Sequence, residues 1–255
     1  MWDPGVYGRF ADQRNRPFQE LVARIGVAAP ATVVDLGCGD GALTATLAER
    51  WPSASVLGVD SSEEMLAAAA TRKSDRLSFV LEPIQEWRPS APVDVMVSNA
   101  ALQWVPGHVS LLPRFVSALA PGGWLAIQVP GNFEAPSHAL LRTLCNSPRW
   151  SDRLGTAGRW MSSPSPSDYV RALAELGCAV DAWETTYAQI LQGVDPVLTW
   201  MRGTALRPVY ARLSAEEAAQ FEAELGAMLR EAYPPQPYGT VLPFRRIFAV
   251  AQVPA

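Results

Sequence analysis

Lysine is almost missing from this chain of 255 residues: Lys73 is a single lysine among 21 basic residues, and the rest are arginines. An anion site built here must therefore use guanidinium groups, which are planar and grip a carboxylate through paired N–H bonds. Histidine is scarce as well, with only His108 and His138, too far apart in the chain to suggest a metal centre. The three cysteines, Cys38, Cys145 and Cys178, are odd in number and contain no CxxC pair. That excludes a disulfide framework and a structural zinc site, and points to a reducing, cytoplasmic compartment. No apolar run reaches the roughly 18 residues needed to cross a bilayer. Residues 1–10 show no basic stretch followed by an apolar core, so neither membrane span nor signal peptide is expected. The net charge is −4 and there is no basic stripe, which argues against a nucleic-acid partner and for a small-molecule one.

What is present suits one α/β domain with insertions: 49% of residues are hydrophobic and 18% charged, enough apolar material for a large core. Thr32–Leu36 is a short apolar run that reads as a first strand. Ala42–Arg50 reads as a helix, with Leu43 and Leu47 four apart, and Trp51-Pro52 stops it because a proline disfavours helical geometry in the residue before it. Val56–Val59 is a second strand. It leads into Asp60-Ser61-Ser62, a helix start with Glu63 and Glu64 in the first turn, where the helix dipole favours acids. Leu77–Leu81, Val93–Ser98 and Trp124–Val129 read as further strands, with a helix over Leu111–Leu119 and a Pro121-Gly122-Gly123 turn. Strands alternating with helices imply right-handed βαβ units and a mostly parallel sheet, covered by helices on both faces.

After Pro130 the rhythm changes. Helices are predicted over Ala135–Leu144, Asp168–Leu176, Pro196–Gly203 and Ala215–Tyr233. Strands are predicted over Val180–Ile190 and Thr240–Val250. Ser147–Pro166, rich in Ser, Pro, Gly and Arg, reads as a loop. Segments 135–168 and 194–233 then form a helical cover on one domain that spans 1–255.

The sharpest motif is Val33-Val34-Asp35-Leu36-Gly37-Cys38-Gly39-Asp40-Gly41. A G-x-G loop between strand and helix lets the backbone approach a ligand closely. Asp35 precedes the first glycine by two residues. Asp60 ends the next strand about 20 residues on, where a carboxylate can accept two hydrogen bonds from ribose hydroxyls. The spacing leaves a dinucleotide open, since Ala42 is allowed where a dinucleotide loop has its third glycine.

The segments DLGCGDG, LGVDSSEEML and VDVMVSNAALQWV resemble the nucleoside-binding motifs of Rossmann-like methyltransferases. The resemblance implies S-adenosylmethionine as cofactor, S-adenosylhomocysteine as product, and a seven-stranded sheet whose last strand is antiparallel. It puts Asp35, Gly37, Cys38 and Gly39 near the amino-acid part of the cofactor, Asp60 on the ribose, and Ser61 and Met65 beside the adenosine. Pro83 stands where such enzymes often carry an acid for the adenine amino group, which leaves the backbone of Ile84 to serve. WDPGVYGRFADQRNRPFQELVARI, SNAALQWVPGH, WETTYAQ, WMRGTALRP and FRRIFAVA extend the likeness over nearly the full length. They resemble the trans-aconitate 2-methyltransferases, which esterify one carboxylate of a tricarboxylic acid.

In that light Tyr7, Phe10 and Arg14 would fold over the cofactor, and Asn99 and Trp104 would line its junction with the acid. A carboxylate is ionised at neutral pH, its reference pKa being about 4, so no general base is required and no catalytic residue is assigned. A trianion held by a protein of negative net charge needs local arginines. Arg207 and Arg246 are the first choices, and Arg245 falls on the opposite face of a regular strand. Gln103, His138, Tyr187 and Trp200 are further candidates for the acid pocket. Three other functions fit the same motifs. They are methylation of another small acid or of a hydroxyl, where His138 would serve as base; NAD-dependent oxidoreduction; and cofactor binding without transfer.

Overall fold

The computed structural model describes residues 11–155 and 163–255, with the backbone alone for 11–14. Helix α1 (Ala11–Val22) precedes an alternating series: β1 (Thr32–Leu36), α2 (Ala42–Arg50), β2 (Ser55–Asp60), α3 (Glu63–Ala69), β3 (Leu77–Leu81), β4 (Val93–Asn99), α4 (Leu112–Ser117) and β5 (Leu119–Pro130). Then come α5 (Pro136–Cys145), α6 (Ser151–Leu154), α7 (Pro166–Ala174), β6 (Ala179–Leu191), α8 (Pro196–Arg202), α9 (Arg207–Tyr210), α10 (Ala215–Ala232) and β7 (Thr240–Gln252). The strands form a seven-stranded sheet in the order β3-β2-β1-β4-β5-β7-β6. β1 to β5 pair in parallel and β7 runs antiparallel to β5, as the methyltransferase resemblance implied. The order reverses between β1 and β4, and the crevice beyond their carboxyl ends is where open α/β sheets bind ligands.

Local chemistry sets the boundaries. α2 starts at Gly41 in the left-handed region (φ 73°) and ends at Trp51. α3 is capped by Ser62, whose hydroxyl accepts from the Met65 N–H. Reciprocal capping boxes, Ser165 with Asp168 and Ser214 with Glu217, start α7 and α10.

The chain divides into two compact units. One comprises residues 14–130, 163–185 and 246–255 and holds most of the sheet; the other comprises, of the described residues, 11–13, 131–155 and 186–245. In the first, Val34, Leu36, Met96, Ile127, Val129 and Ile247 pack with Tyr169 and Leu173 into one apolar cluster on one sheet face. Strand alternation sends Asp35, Val97, Asn99, Gln128 and Arg246 to the opposite face. Pairing keeps them aligned: Asp35 with Val97, Asn99 with Gln128, and Pro130 with Arg246. In the second unit, Leu141, Trp150, Leu154, Trp200, Phe221, Leu225 and Phe244 build a separate core.

Two expectations need correction. Ser147–Pro166 is not all loop: α6 lies within it, because Trp150 and Leu154, four apart, are both buried in the second core. β5 begins at Leu119 rather than after the Pro-Gly-Gly sequence; Leu119 pairs with Val93 across an irregularity in the β4 register. α9 was not foreseen. Among the described residues no helix is long and apolar enough to cross a membrane.

Candidate active site

The loop after β1 is wound by Gly37, Gly39 and Gly41 at φ 82°, 56° and 73°. Its N–H groups turn inward. Gly37 and Cys38 both donate to the Val59 carbonyl (2.7 and 3.1 Å), and Gly41 donates to the Cys38 carbonyl (3.1 Å). Gly39 donates to Asp60 Oδ2 (2.8 Å), and Ala42 to Asp40 Oδ1 (3.2 Å). The loop lies against the β4 tip so closely that a Cβ on Gly37 would sit 2.2 Å from the Cβ of Ala101.

Asp60 Oδ1 accepts from the Ser62 N–H (2.9 Å), so each carboxylate oxygen holds the loop or the next helix through one lone pair and keeps another. Ser61 is exposed beside it, and Met65 is half-buried on α3, with its Cε 3.8 Å from where a Gly39 Cβ would be. Asp35 is buried and accepts from Thr44 Oγ1 (2.7 Å). Burial pushes its carboxyl up to about 6; the Thr44 hydroxyl opposes that rise and the Asp60 charge adds to it. Cys38 offers a ligand only its backbone: its sulfur turns under the loop, 2.9 Å from the position of a Cβ on Gly58, and burial pushes the thiol up, away from thiolate.

At the β4 tip, Ala100 takes a left-handed conformation (φ 53°), which costs a non-glycine residue on the order of 1–2 kcal/mol. The turn is tied by the Ala100 N–H to the Gln128 carbonyl (2.9 Å) and by Gln103 Nε2 to the Ala100 carbonyl (2.5 Å). The side-chain oxygens of Asn99 and Gln103 are then left buried without a partner among the described residues. Two buried acceptors without partners at one strand tip suit a ligand that brings donors or positive charge. Gln103, expected beside the acid, spends one of its two amide hydrogens on the Ala100 carbonyl and leaves its oxygen without a partner. Trp104 is 47% exposed and is not a core indole. Ile84 is buried, with its Cδ1 3.5 Å from the Gly37 Cβ position, and its carbonyl accepts from Arg114 (2.8 Å).

Further along the same edge Arg246 is buried and donates to Gln128 Oε1 (3.0 Å). Gln128 did not stand out in the sequence; the signal was one amide inside the apolar run Trp124–Val129. Arg245 is half-buried and donates to the Gly131 carbonyl (3.1 Å), as strand alternation implied for a residue facing away from Arg246.

The other unit carries the remaining candidates. His138 Nδ1 lies 3.2 Å from Ser137 Oγ and 3.4 Å from Asn132 Nδ2, and the ring meets Phe133 edge-on. Burial, with the Arg142 charge, pushes His138 down to about 4. Tyr187 is buried on β6; Gln189, two residues on, is buried with neither amide atom partnered among the described residues. Trp200 is buried on α8 against Phe244 (5.2 Å), and Arg207 is exposed at the start of α9. Tyr7, Phe10 and the Arg14 side chain lie outside the described residues.

A doubly wound sheet ending in an antiparallel strand, a left-handed glycine loop and an acid closing β2 together define a methyltransferase of the Rossmann-like class, and a methyltransferase-domain family matches residues 10–182. A mycolic acid cyclopropane synthase solved with SAH has the same fold (TM-score 0.57, 15% identity, covering 93% of this chain and 83% of that one). Within the class, the trans-aconitate 2-methyltransferase of Streptomyces avermitilis is 53% identical over 98% of this chain and 96% of its own length. That of Rhodococcus jostii is 53% identical over 99% of this chain and 100% of its own. The chain belongs to the trans-aconitate 2-methyltransferase family.

Proposed function

We propose that this protein esterifies one carboxylate of trans-aconitate with the methyl group of S-adenosylmethionine. The observation that carries the reading is identity of about one half, over essentially the whole length, to relatives of that name. S-adenosylmethionine supplies a sulfonium methyl that passes to the carboxylate oxygen as the carbon–sulfur bond breaks, giving the ester and S-adenosylhomocysteine.

The residues present fit that cofactor better than a dinucleotide. The glycine loop has turned its N–H groups inward, and the Asp40 carboxylate occupies the helix start where a pyrophosphate would need donors. The unpartnered oxygens of Asn99 and Gln103 suit the cationic end of the cofactor. Asp60 keeps a lone pair on each oxygen for ribose hydroxyls, and Ser61, Met65 and Ile84 border the adenosine.

The acceptor is already ionised, so the protein's work is to align oxygen, methyl carbon and sulfur. Arg246 is proposed to hold one carboxylate. Arg207, Tyr187, Trp200 and His138 are proposed as acid contacts on the family likeness, with segments 135–168 and 194–233 setting acid choice. A hydroxyl acceptor would need a base, and His138, pushed down to about 4, is a weak one at neutral pH. The three cysteines are free and buried, which supports a reducing, cytoplasmic setting.

The test is mass spectrometry after incubation with S-adenosylmethionine and trans-aconitate, cis-aconitate, isocitrate, citrate or a fatty acid. One added methyl on trans-aconitate, with much slower gain on the others, is expected. Cofactor binding without transfer to trans-aconitate would overturn the substrate.

A further inference from the structure

Gln128 is the most enclosed amide at the candidate site, with no exposed surface at all. It stands near the end of β5, flanked by Asn99 on β4 and close to Arg246 on β7, all on one sheet face. A guanidinium has only donors, so the bond from Arg246 fixes which way the amide points: Oε1 faces the arginine and Nε2 faces away from it. That Nε2 has no hydrogen-bond partner among the described residues. A buried amide donor left unmade costs about 1–3 kcal/mol, which is not ordinarily retained in the middle of a sheet without a use.

We infer that Gln128 is a substrate-binding residue, forming with Arg246 a mixed amide–guanidinium clamp for one carboxylate of the acid. Its oxygen orients the guanidinium, and its nitrogen donates to the bound carboxylate. The unmade N–H of Gln128 calls for an acceptor, and beside a guanidinium a carboxylate suits it, with two oxygens to offer. The neighbouring Asn99 and Gln103 present oxygens instead, so the edge is divided. Acceptors near the β1–β4 crevice serve the cationic cofactor, and donors on β5 and β7 serve the anionic acid. The inference rests on the proposed function and adds to it a residue that selects for the number and placement of carboxylates.

The experiment compares the unmodified protein with Gln128→Ala and Gln128→Glu. Acceptors are trans-aconitate and three dicarboxylates, itaconate, glutaconate and mesaconate, each lacking a different one of its carboxylates. Cofactor affinity is measured by calorimetry. Gln128→Ala should raise KM for trans-aconitate about tenfold or more, the loss of one charge-assisted hydrogen bond, and leave cofactor affinity within about twofold. The dicarboxylate that lacks the clamped group should be nearly indifferent to the change. Gln128→Glu keeps the oxygen that orients Arg246 and replaces the donor with a second anion, so it should fold normally. Its KM for trans-aconitate should exceed that of Gln128→Ala, because a carboxylate kept ionised by Arg246 repels the bound acid.

Equal losses on all four acids would make Gln128 merely structural and overturn the clamp, as would an unchanged KM. A Gln128→Glu variant that folds and binds trans-aconitate as well as the unmodified protein would overturn it too, whatever the alanine variant does. If the unmodified protein transfers no methyl to trans-aconitate, the proposed function falls and the clamp with it. Transfer with an indifferent Gln128 removes the clamp alone.

Discussion

Replacing Gly37 with alanine should damage both stability and cofactor binding, and the structure gives the size of the effect. Two costs add. The backbone sits at φ 82°, where an L-residue loses about 1–2 kcal/mol. The new methyl would lie 2.2 Å from the Ala101 Cβ, whereas such carbons rest about 3.5–4.0 Å apart. Ala101 has no rotamer to yield, so backbone must move, at about 1–3 kcal/mol. The sum is about 2–5 kcal/mol.

Gly39 is the control. At φ 56° it bears the conformational cost, but its nearest neighbour would be Met65 Cε at 3.8 Å, an ordinary contact. Gly39→Ala should therefore be milder by about 1–3 kcal/mol, the overpacking part alone. Urea unfolding gives stability, and calorimetric titration with S-adenosylmethionine gives affinity. The double variant Gly37→Ala, Ala101→Gly removes the obstructing methyl and should recover the overpacking share while the φ cost stays. Equal effects at the two glycines, or no recovery in the double variant, would refute the packing argument.

The pH dependence of stability should reveal Asp35. A carboxyl pushed up to about 6 favours the protonated fold, so its contribution is complete below about pH 4 and fades by about 3 kcal/mol as pH rises through 6. His138, pushed down to about 4, works in the opposite sense, adding stability as pH rises toward 6.5. Subtracting curves isolates Asp35: the stability of Asp35→Asn relative to the unmodified protein should grow by about 3 kcal/mol between pH 4 and 7, and a constant offset would sink the assignment. Arg246→Ala should weaken acid binding by about 2–4 kcal/mol with cofactor affinity unchanged; an unaltered KM would return the arginine to a structural role. Trp104→Ala, at a half-exposed indole, should leave unfolding within about 0.5 kcal/mol while lowering turnover, and full activity would remove it from the site.

How much was legible depended on how local the determinants are. β1 and α2 fall where the sequence put them, because an apolar run, a glycine loop and a Trp-Pro stop each act within a few residues. α6 and α9 were missed because four-residue helices carry no periodic signal, and their burial comes from residues far along the chain. The start of β5 was hidden by Pro121-Gly122-Gly123, which reads as a turn and lies opposite the irregularity between the Val93–Leu119 and Val95–Trp124 pairs, while Gly122 and Gly123 bond to Pro254 and Val253. The glycine loop and the acid that closes β2 were legible from spacing, because both act within a few residues of a strand end. The role of Gln128 was not, since it follows from a hydrogen bond to a residue 118 positions later.

The pairing of Pro130 with Arg246 also imposes an order of events during synthesis. The glycine loop and Asp60 emerge early, and every parallel neighbour of β1 is available by Asn99. Arg246 arrives much later. At ribosomal speeds of about 5–20 residues per second, the interval between the two is on the order of 10–40 s. A nascent chain can thus form its glycine loop long before the strand that bears the guanidinium exists, leaving the edge of β5 and the amide of Gln128 waiting for β7.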